Sequence, residues 1–425
     1  MHFQTESLIY PVRQTAMLRI LPVFPVTVRQ DARYEAILRP FTGLRQYRRA
    51  EAFSKATVDF FRKRHMLSIV GDHLELTIDL PQEDSYIIEL YIDGIEAEKL
   101  EIYALEPDLF SLNAYRGDNH MHTWMSDGKD SPMYMAAMSC RRGCDYCLIT
   151  DHHKYEPSLI AKRFYEGTGV DFLVIPGEEI HSPDNPVHII SIGGRESVNA
   201  WWREDDREYR AAVREAIAEV DDTLLPEDRY TAAACQTVFD RIRAVGGVSV
   251  LCHPHWVLSQ THALNEHEDV TDYLMDHRRF DVLELIAGGA FEVGTQMQIS
   301  YYHDRPTMPI VGSSDAHGCF LDQLEPHNYT ICFAKSLTVE GIQKAIRSGL
   351  TVGGNENKLY GEYRLVKYAY FLKRCFFPRH EALRDRVGVW MLRYASARDE
   401  ADAAIYNGLK CESPSKLFES LRYQG

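Results

Sequence analysis

Histidines and carboxylates carry the clearest chemical pattern in this chain. They recur in short clusters: His120 and His122 within Gly117-Asp-Asn-His-Met-His-Thr123, then Asp127; Asp151, His152 and His153 after Leu148-Ile-Thr150; Glu179 in Pro176-Gly-Glu-Glu-Ile180; His188 alone; His253 and His255 in Leu251-Cys-His-Pro-His255; and Asp315 and His317 in Val311-Gly-Ser-Ser-Asp-Ala-His317. Imidazole and carboxylate together suit divalent Zn, Mn or Fe. A His-x-His pair on extended chain can direct both rings toward one ion, because alternate side chains share a face. Carboxylates can bridge two ions, and such a site can generate a hydroxide near neutral pH and stabilise the attacking and leaving oxygens. No Ser or Cys nucleophile is then required.

Taken singly, each residue has a plainer explanation: a lone His near a strand end is commonly a hydrogen-bonded structural residue, and Asp315 could cap a helix. Recurrence is what argues for a shared site. Polar groups of this kind keep following short apolar, strand-like runs, at Asp145–Thr150, Phe172–Pro176, Val187–Ile192, Val248–Cys252, Val282–Ile286 and Met308–Val311. These runs alternate with helical segments from Asp118 onward, the signature of βα units building a parallel sheet or barrel. In a parallel barrel the C-terminal strand ends converge on one face, so residues distant in sequence meet there. The first helix is punctuated by Ser131 as N-cap, Pro132 in the first turn and Gly143 as the stop. A polar insertion, Arg195 to Tyr230, contains Trp201-Trp202 and a helix expected over Glu208–Val220; it reads either as a lid or as a surface insertion anchored by its tryptophans.

With 425 residues, 45% of them hydrophobic, the chain exceeds what one core usually supports. Residues 1–112 read as a β-rich domain: Leu74, Leu76, Ile78 and Leu80 alternate with polar residues, and further runs at Ser85–Ile92 and Lys99–Leu105 predict an antiparallel sheet or small sandwich. Residues 113–354 form the expected catalytic domain. Residues 355–425 are a helical C-terminal segment, with helices expected over Tyr363–Phe377 and His380–Ala397. The net charge of −15 argues against a long nucleic acid as partner, while leaving room for a local basic pocket. The apolar stretch Ala16–Val28 is broken by Arg19, Pro22 and Pro25, so neither a secretion signal nor a membrane span is expected and a cytoplasmic location is the default. The nine cysteines, scattered irregularly, do not suggest a disulfide framework. Cys144 and Cys147 have CxxC spacing, but no second pair completes a four-sulfur site.

At residues 117–353 the chain resembles the polymerase-and-histidinol-phosphatase (PHP) superfamily of metal-dependent hydrolases. Its pattern of His-x-His, Ser-Asp-Gly, Thr-Asp-His, Gly-x-Glu, a lone His, His-Pro and Asp-x-His recurs here in order. The resemblance implies a distorted (β/α)7 barrel. It also implies two or three divalent ions (Mn, Zn or Fe): one held by His120, His122, Glu179 and Asp315, a second by Glu179, His188 and His253, and a third by Asp127, His152 and His317. Glu178 competes with Glu179 for the bridging place. An antiparallel β domain leading through Tyr115-Arg-Gly-Asp118 into the first motif is similar to the PHP branch that includes carbaryl hydrolases.

Two features depart from the commonest PHP pattern. His153 stands where many relatives have Asn, and His255 follows His-Pro; either ring could contact a substrate phosphate or protonate a leaving group, and Asp151 could orient a ligand or handle a proton. Arg116, Lys154 and Arg305 stand near the motifs as anion-binding candidates, with salt bridging as the alternative. The expected function is hydrolysis of a small phosphate ester or nucleotide by a metal-bound hydroxide. The rival readings are carbamate, amide or carboxyl-ester cleavage on the same site, and a non-catalytic metal-binding module.

Overall fold

The computed structural model describes residues 2–43, 55–258, 263–277, 279–288, 292–304, 308–319, 327–397 and 414–424. They fall into two compact units: Met1–Asn113 with Tyr370–Pro378 and Ser415–Gly425, and Ala114–Ala369 with Arg379–Pro414. The residues after 354 are therefore divided between the two units and do not form one of their own.

The first unit holds two sheets. One orders Phe3–Thr5, Thr15–Pro22, His73–Asp79 and Ser68–Val70; the other orders Ile9–Pro11, Ile95–Leu105, Asp84–Ile92, Tyr34–Pro40 and His65–Met66. Alternation in sequence translates directly into burial, with Leu18, Ile20, Leu38, Leu74, Ile88 and Ile102 sharing one core. The sheets are antiparallel except where Ile9–Pro11 runs parallel to Ile95–Leu105.

The second unit is mixed α/β. One sheet orders Leu173–Ile175, Tyr146–Leu148, Asn113–Asp118, Tyr329–Ala334, Thr351–Gly354 and Leu359–Gly361; the other orders Gly177–Ile180, Ile189–Ile192, Val248–Leu251, Val282–Ile286 and Ile310–Gly312. The second of these sheets is mixed, where the alternation of strands and helices predicts parallel pairing. Gly177–Ile180, Ile189–Ile192 and Val248–Leu251 pair antiparallel, whereas Val248–Leu251, Val282–Ile286 and Ile310–Gly312 pair in parallel. The cause is connection length: residues 181–188 contain no helix, and so short a link can reverse the chain but not cross over to a parallel neighbour.

Helices pack on the sheets as their punctuation predicts. Ser131 caps Pro132–Arg141 by accepting from Tyr134 N–H at 3.2 Å, and Gly143 ends that segment at φ +92°, a conformation that favours glycine. The insertion forms Ala200–Arg203, Arg207–Ala216 and a short 3₁₀ turn at Ile217–Glu219. Trp201 and Trp202 pack against the buried core cluster that also takes in Tyr209, their rings 5.7 and 4.9 Å from its ring, so the pair anchors the insertion to the core. Two long helices, Tyr363–Cys375 and Phe377–Ala395, close the described chain apart from Pro414–Ser420.

Candidate metal centre

The nine histidines and carboxylates meet at one end of the second unit's strands. His120 and His122 follow Asn113–Asp118, His152 follows Tyr146–Leu148, His253 follows Val248–Leu251, and Asp315 and His317 follow Ile310–Gly312. His188 stands just before its strand, Ile189–Ile192. That strand runs opposite to its neighbours, so its start lies at the same end as their finishes. Glu179 lies within Gly177–Ile180, and alternation along this strand resolves the two glutamates. Glu179 faces the histidines, while Glu178 is held away from them by Ser197 Oγ at 2.7 Å and Asn199 Nδ2 at 2.9 Å.

Glu179 is fully buried at the centre. Its Oε2 lies 3.3 Å from His120 Nε2, 3.2 Å from His122 Nε2 and 2.8 Å from His152 Nδ1; its Oε1 lies 2.8 Å from His188 Nδ1 and 3.5 Å from His253 Nε2. Asp315 Oδ1 lies 3.3 and 3.1 Å from the same His120 and His122 nitrogens, which are themselves 3.0 Å apart. Asp127 Oδ2 stands 3.4 Å from His152 Nε2 and 3.3 Å from His317 Nε2, and its Oδ1 is 3.7 Å from His122 Nδ1.

These spacings fit a cation. Ligands about 2.0–2.1 Å from a tetrahedral ion are separated by about 3.3 Å along each edge, close to the spacing among the donors of His120, His122, Glu179 and Asp315. Two imidazole nitrogens at 3.0 Å, with carboxylate oxygens beside both, otherwise crowd lone pairs in a site from which water is largely excluded. His122 Nδ1 is buried without a hydrogen-bond partner and faces Asp127, so His122 also falls within reach of the group formed by Asp127, His152 and His317.

The charge balance follows from this crowding. Burial opposes ionisation of Glu179, Asp315 and Asp127, yet the surrounding histidines hold all three well below the usual carboxylate range. Burial likewise opposes charge on His152, but Asp127 and Glu179 prevail and push its imidazole up to about 10.

The backbone is held in costly shapes at the same place. His153, His253 and Asp315 adopt φ of +59°, +27° and +50°, a region that side chains disfavour and that tends to persist at functional sites. Gly128 permits the turn carrying Asp127: a Cβ there would meet the His122 carbonyl oxygen at 2.6 Å.

Some residues singled out from sequence take other roles. Asp151 is fully buried and accepts from Thr123 N–H at 2.9 Å, Thr123 Oγ1 at 2.9 Å and Ser126 Oγ at 2.6 Å, so it braces the turn leading to Asp127 and is not placed to handle a proton. His255 leaves the cluster; its ring stands 5.6 Å from Tyr301, and it lines a separate cavity with Glu268, Asp272 and Asp304. Arg116 is buried in an ion pair with Glu381, its guanidinium 4.0 Å above the Tyr329 ring, which withdraws it from any substrate. His153 stays at the site's edge, its N–H donating to the Glu179 carbonyl at 3.0 Å and its ring 4.6 Å from His181. Lys154 is exposed beside it. Arg305 lies outside the described residues.

Two members of the site escaped the sequence reading. His181 stands two residues beyond Glu179 and lies 3.8 Å from Glu179 Oε1, with its ring 3.9 Å from His188 and burial pushing its imidazole down to about 2. Glu284, fully buried in Val282–Ile286, places Oε1 3.1 Å from His120 Nδ1 and accepts from His253 N–H through Oε2 at 3.1 Å. The available signals were the period-2 offset of His181 and a lone glutamate within the apolar run Val282-Leu-Glu-Leu-Ile286.

No protein-family model matches the chain. Over 58 residues, 14% of its length, the chain is 38% identical to the DNA polymerase/3'-5' exonuclease PolX of Bacillus subtilis (strain 168), a match spanning 10% of that protein. Among solved structures it is similar to a two-domain Bacteroides vulgatus ATCC 8482 protein described as containing a PHP-like metal-dependent phosphoesterase, at 20% identity and TM-score 0.46, covering 62% of this chain and 71% of that one. A Bifidobacterium adolescentis ATCC 15703 protein described as a metal-dependent phosphoesterase gives 17% identity and TM-score 0.35, covering 60% and 95%. An amidohydrolase from Chromobacterium violaceum gives 17% and 0.32, covering 48% and 87%. The chain resembles the PHP superfamily: its motifs run in that family's order and its candidate ligands converge. Among the described residues no helix is long and apolar enough to cross a membrane.

Proposed function

We propose that this protein is a metal-dependent phosphoesterase of PHP type, cleaving a small phosphate ester. The observation that carries the reading is the convergence of six histidines on Glu179, Asp315 and Asp127 at the spacing of ligand shells. His120, His122, Glu179 and Asp315 would hold one ion, Glu179, His188 and His253 a second, and Asp127, His152 and His317 a third. We read the second unit's sheets as one distorted (β/α)7 barrel. In support, Thr330 Oγ1 donates to Gly312 O at 2.8 Å on one side, and His152 bridges to Glu179 on the other.

Bound divalent ions supply Lewis-acid activation of water and of the ester oxygens. The chain's own residues do the rest. Glu284 fixes the His120 ring through Nδ1, which leaves Nε2 directed at the site. Asp151 and Gly128 set the turn that presents Asp127. His153, at the rim, would meet a phosphate oxygen or a leaving group in this reading.

The test is phosphate release from a panel of monoesters and diesters by protein reconstituted with Mn or Zn, beside Asp315→Asn. Metal-dependent release that vanishes in the variant supports the reading. No release despite bound metal would overturn it and direct attention to carbamates and carboxyl esters, the substrates suggested by the carbaryl-hydrolase resemblance.

A further inference from the structure

A cavity of about 680 Å³ adjoins the histidine cluster, lined in part by Met125, His153, Lys154, Arg163, Ser197 and Arg203. Two of these residues tie it to the centre. His153 donates its backbone N–H to the Glu179 carbonyl, and Met125 belongs to the turn that ends in Asp127. The volume falls within the range of pockets for small organic ligands.

The lining is unusual for so acidic a chain. Asp and Glu outnumber Lys and Arg by 62 to 47, and surface arginines such as Arg141, Arg210 and Arg241 find carboxylate partners. Lys154, Arg163 and Arg203 converge on one cavity with Glu156 as the single carboxylate in its lining, and none of the three makes an ion pair with a described residue. Two are held there by the backbone: Arg203 donates to the His153 carbonyl at 3.0 Å, and Lys154 to the Met125 carbonyl. Three cations around one carboxylate leave the cavity with a net positive charge that attracts an anion.

We propose that this cavity is a subsite for a second anionic group of the substrate, a phosphate or carboxylate carried apart from the scissile ester. The proposal rests on the phosphoesterase reading and narrows it to bis-anionic esters. Arg163 and Arg203 supply the planar donor forks that match such oxygens, and Lys154 adds a point charge. Arg203 comes from the insertion, so that segment contributes to substrate selection as well as being anchored by Trp201 and Trp202.

The test compares kcat/KM for propane-1,3-diol bisphosphate and propyl phosphate in Mn-loaded wild type, in Arg163→Ala/Arg203→Ala and in Arg214→Ala, an exposed arginine outside the cavity lining. The wild type should prefer the bis-anion, and the double variant should lose about ten- to a hundredfold of that preference, mainly through KM. Arg214→Ala should leave it intact. A preference unchanged in the double variant, or an equal loss on both substrates, would overturn the proposal. Calorimetric binding of propane-1,3-diyl bisphosphonate against propyl phosphonate needs no turnover. Tighter bisphosphonate binding that disappears in the double variant supports the subsite even if no ester is hydrolysed, in which case only the assigned reaction fails; tighter binding that survives the double variant overturns the subsite.

Discussion

Glu179→Gln is the most informative single change at the candidate centre, because it keeps the side chain's shape and removes its charge. The carboxylate stands 2.8 to 3.5 Å from nitrogens of His120, His122, His152, His188 and His253, and its two oxygens face different sets of them. An amide offers one ligating oxygen and no charge, so a bridge between two ions fails at both. Changes to groups that merely orient a ligand typically lower metal affinity by about 10- to 100-fold. A bridging ligand should exceed that, giving a loss of at least about 100-fold at each of two ions, or roughly 2.7 kcal/mol per ion. Protein equilibrated across buffered free Mn or Zn, with metal per chain measured by mass spectrometry and folding checked by circular dichroism, reads this directly. Glu179→Gln should lose two ions together, whereas Asp127→Asn should lose one. Retention of wild-type metal at the same free concentration by folded Glu179→Gln would refute the bridging role and the assignment built on it.

Glu284→Gln should weaken metal binding by about 10- to 100-fold without removing a direct ligand, since its carboxylate orients His120 and anchors the backbone of His253; titration calorimetry measures it. His255→Ala should leave metal content unchanged and turnover within about twofold, a result that steady-state kinetics checks and that a hundredfold fall would contradict, because its ring packs toward Tyr301. Asp145→Asn should destabilise the fold by about 3–5 kcal/mol in thermal or urea unfolding, because it strands the buried Arg384 guanidinium that Asp145 meets at 2.8 Å, next to His380 at 2.7 Å. Burial opposes charge on Asp145, but His380 and Arg384 prevail and hold its carboxyl below the usual range. A depressed carboxylate adds stability that is full above the unfolded value, about 3.9, and disappears as pH falls through the lower folded value. The gap between wild type and variant should therefore narrow in acid below about pH 4, and a gap constant across that window would contradict the ion-pair account.

What sequence could show about this chain depended on the range of the forces involved. Local patterns transferred well: the alternation at His73–Asp79 appears as a strand with Leu74 and Ile78 buried, and Ser131, Pro132 and Gly143 bound a helix at Pro132–Arg141. Strand direction did not transfer. An apolar run such as Ile189–Ile192 reads the same either way, and its antiparallel course follows from the short link before it and from pairing with distant residues. The same limit separates the histidines. The nine in-order motif residues met because their strands end at one face, whereas His255, two residues from His253, follows a backbone turned at φ +27° and points elsewhere. Spacing of two places side chains on one face only while the chain remains extended. It does so from Glu179 to His181, the residue that directly follows the strand Gly177–Ile180, which is why His181 joins the centre, and it fails at His253 and His255 across the turn. Buried charge within an apolar strand was the underused signal: Glu284 had no reason to stand in Val282–Ile286 unless it met a fixed donor, and it meets the imidazole of His120.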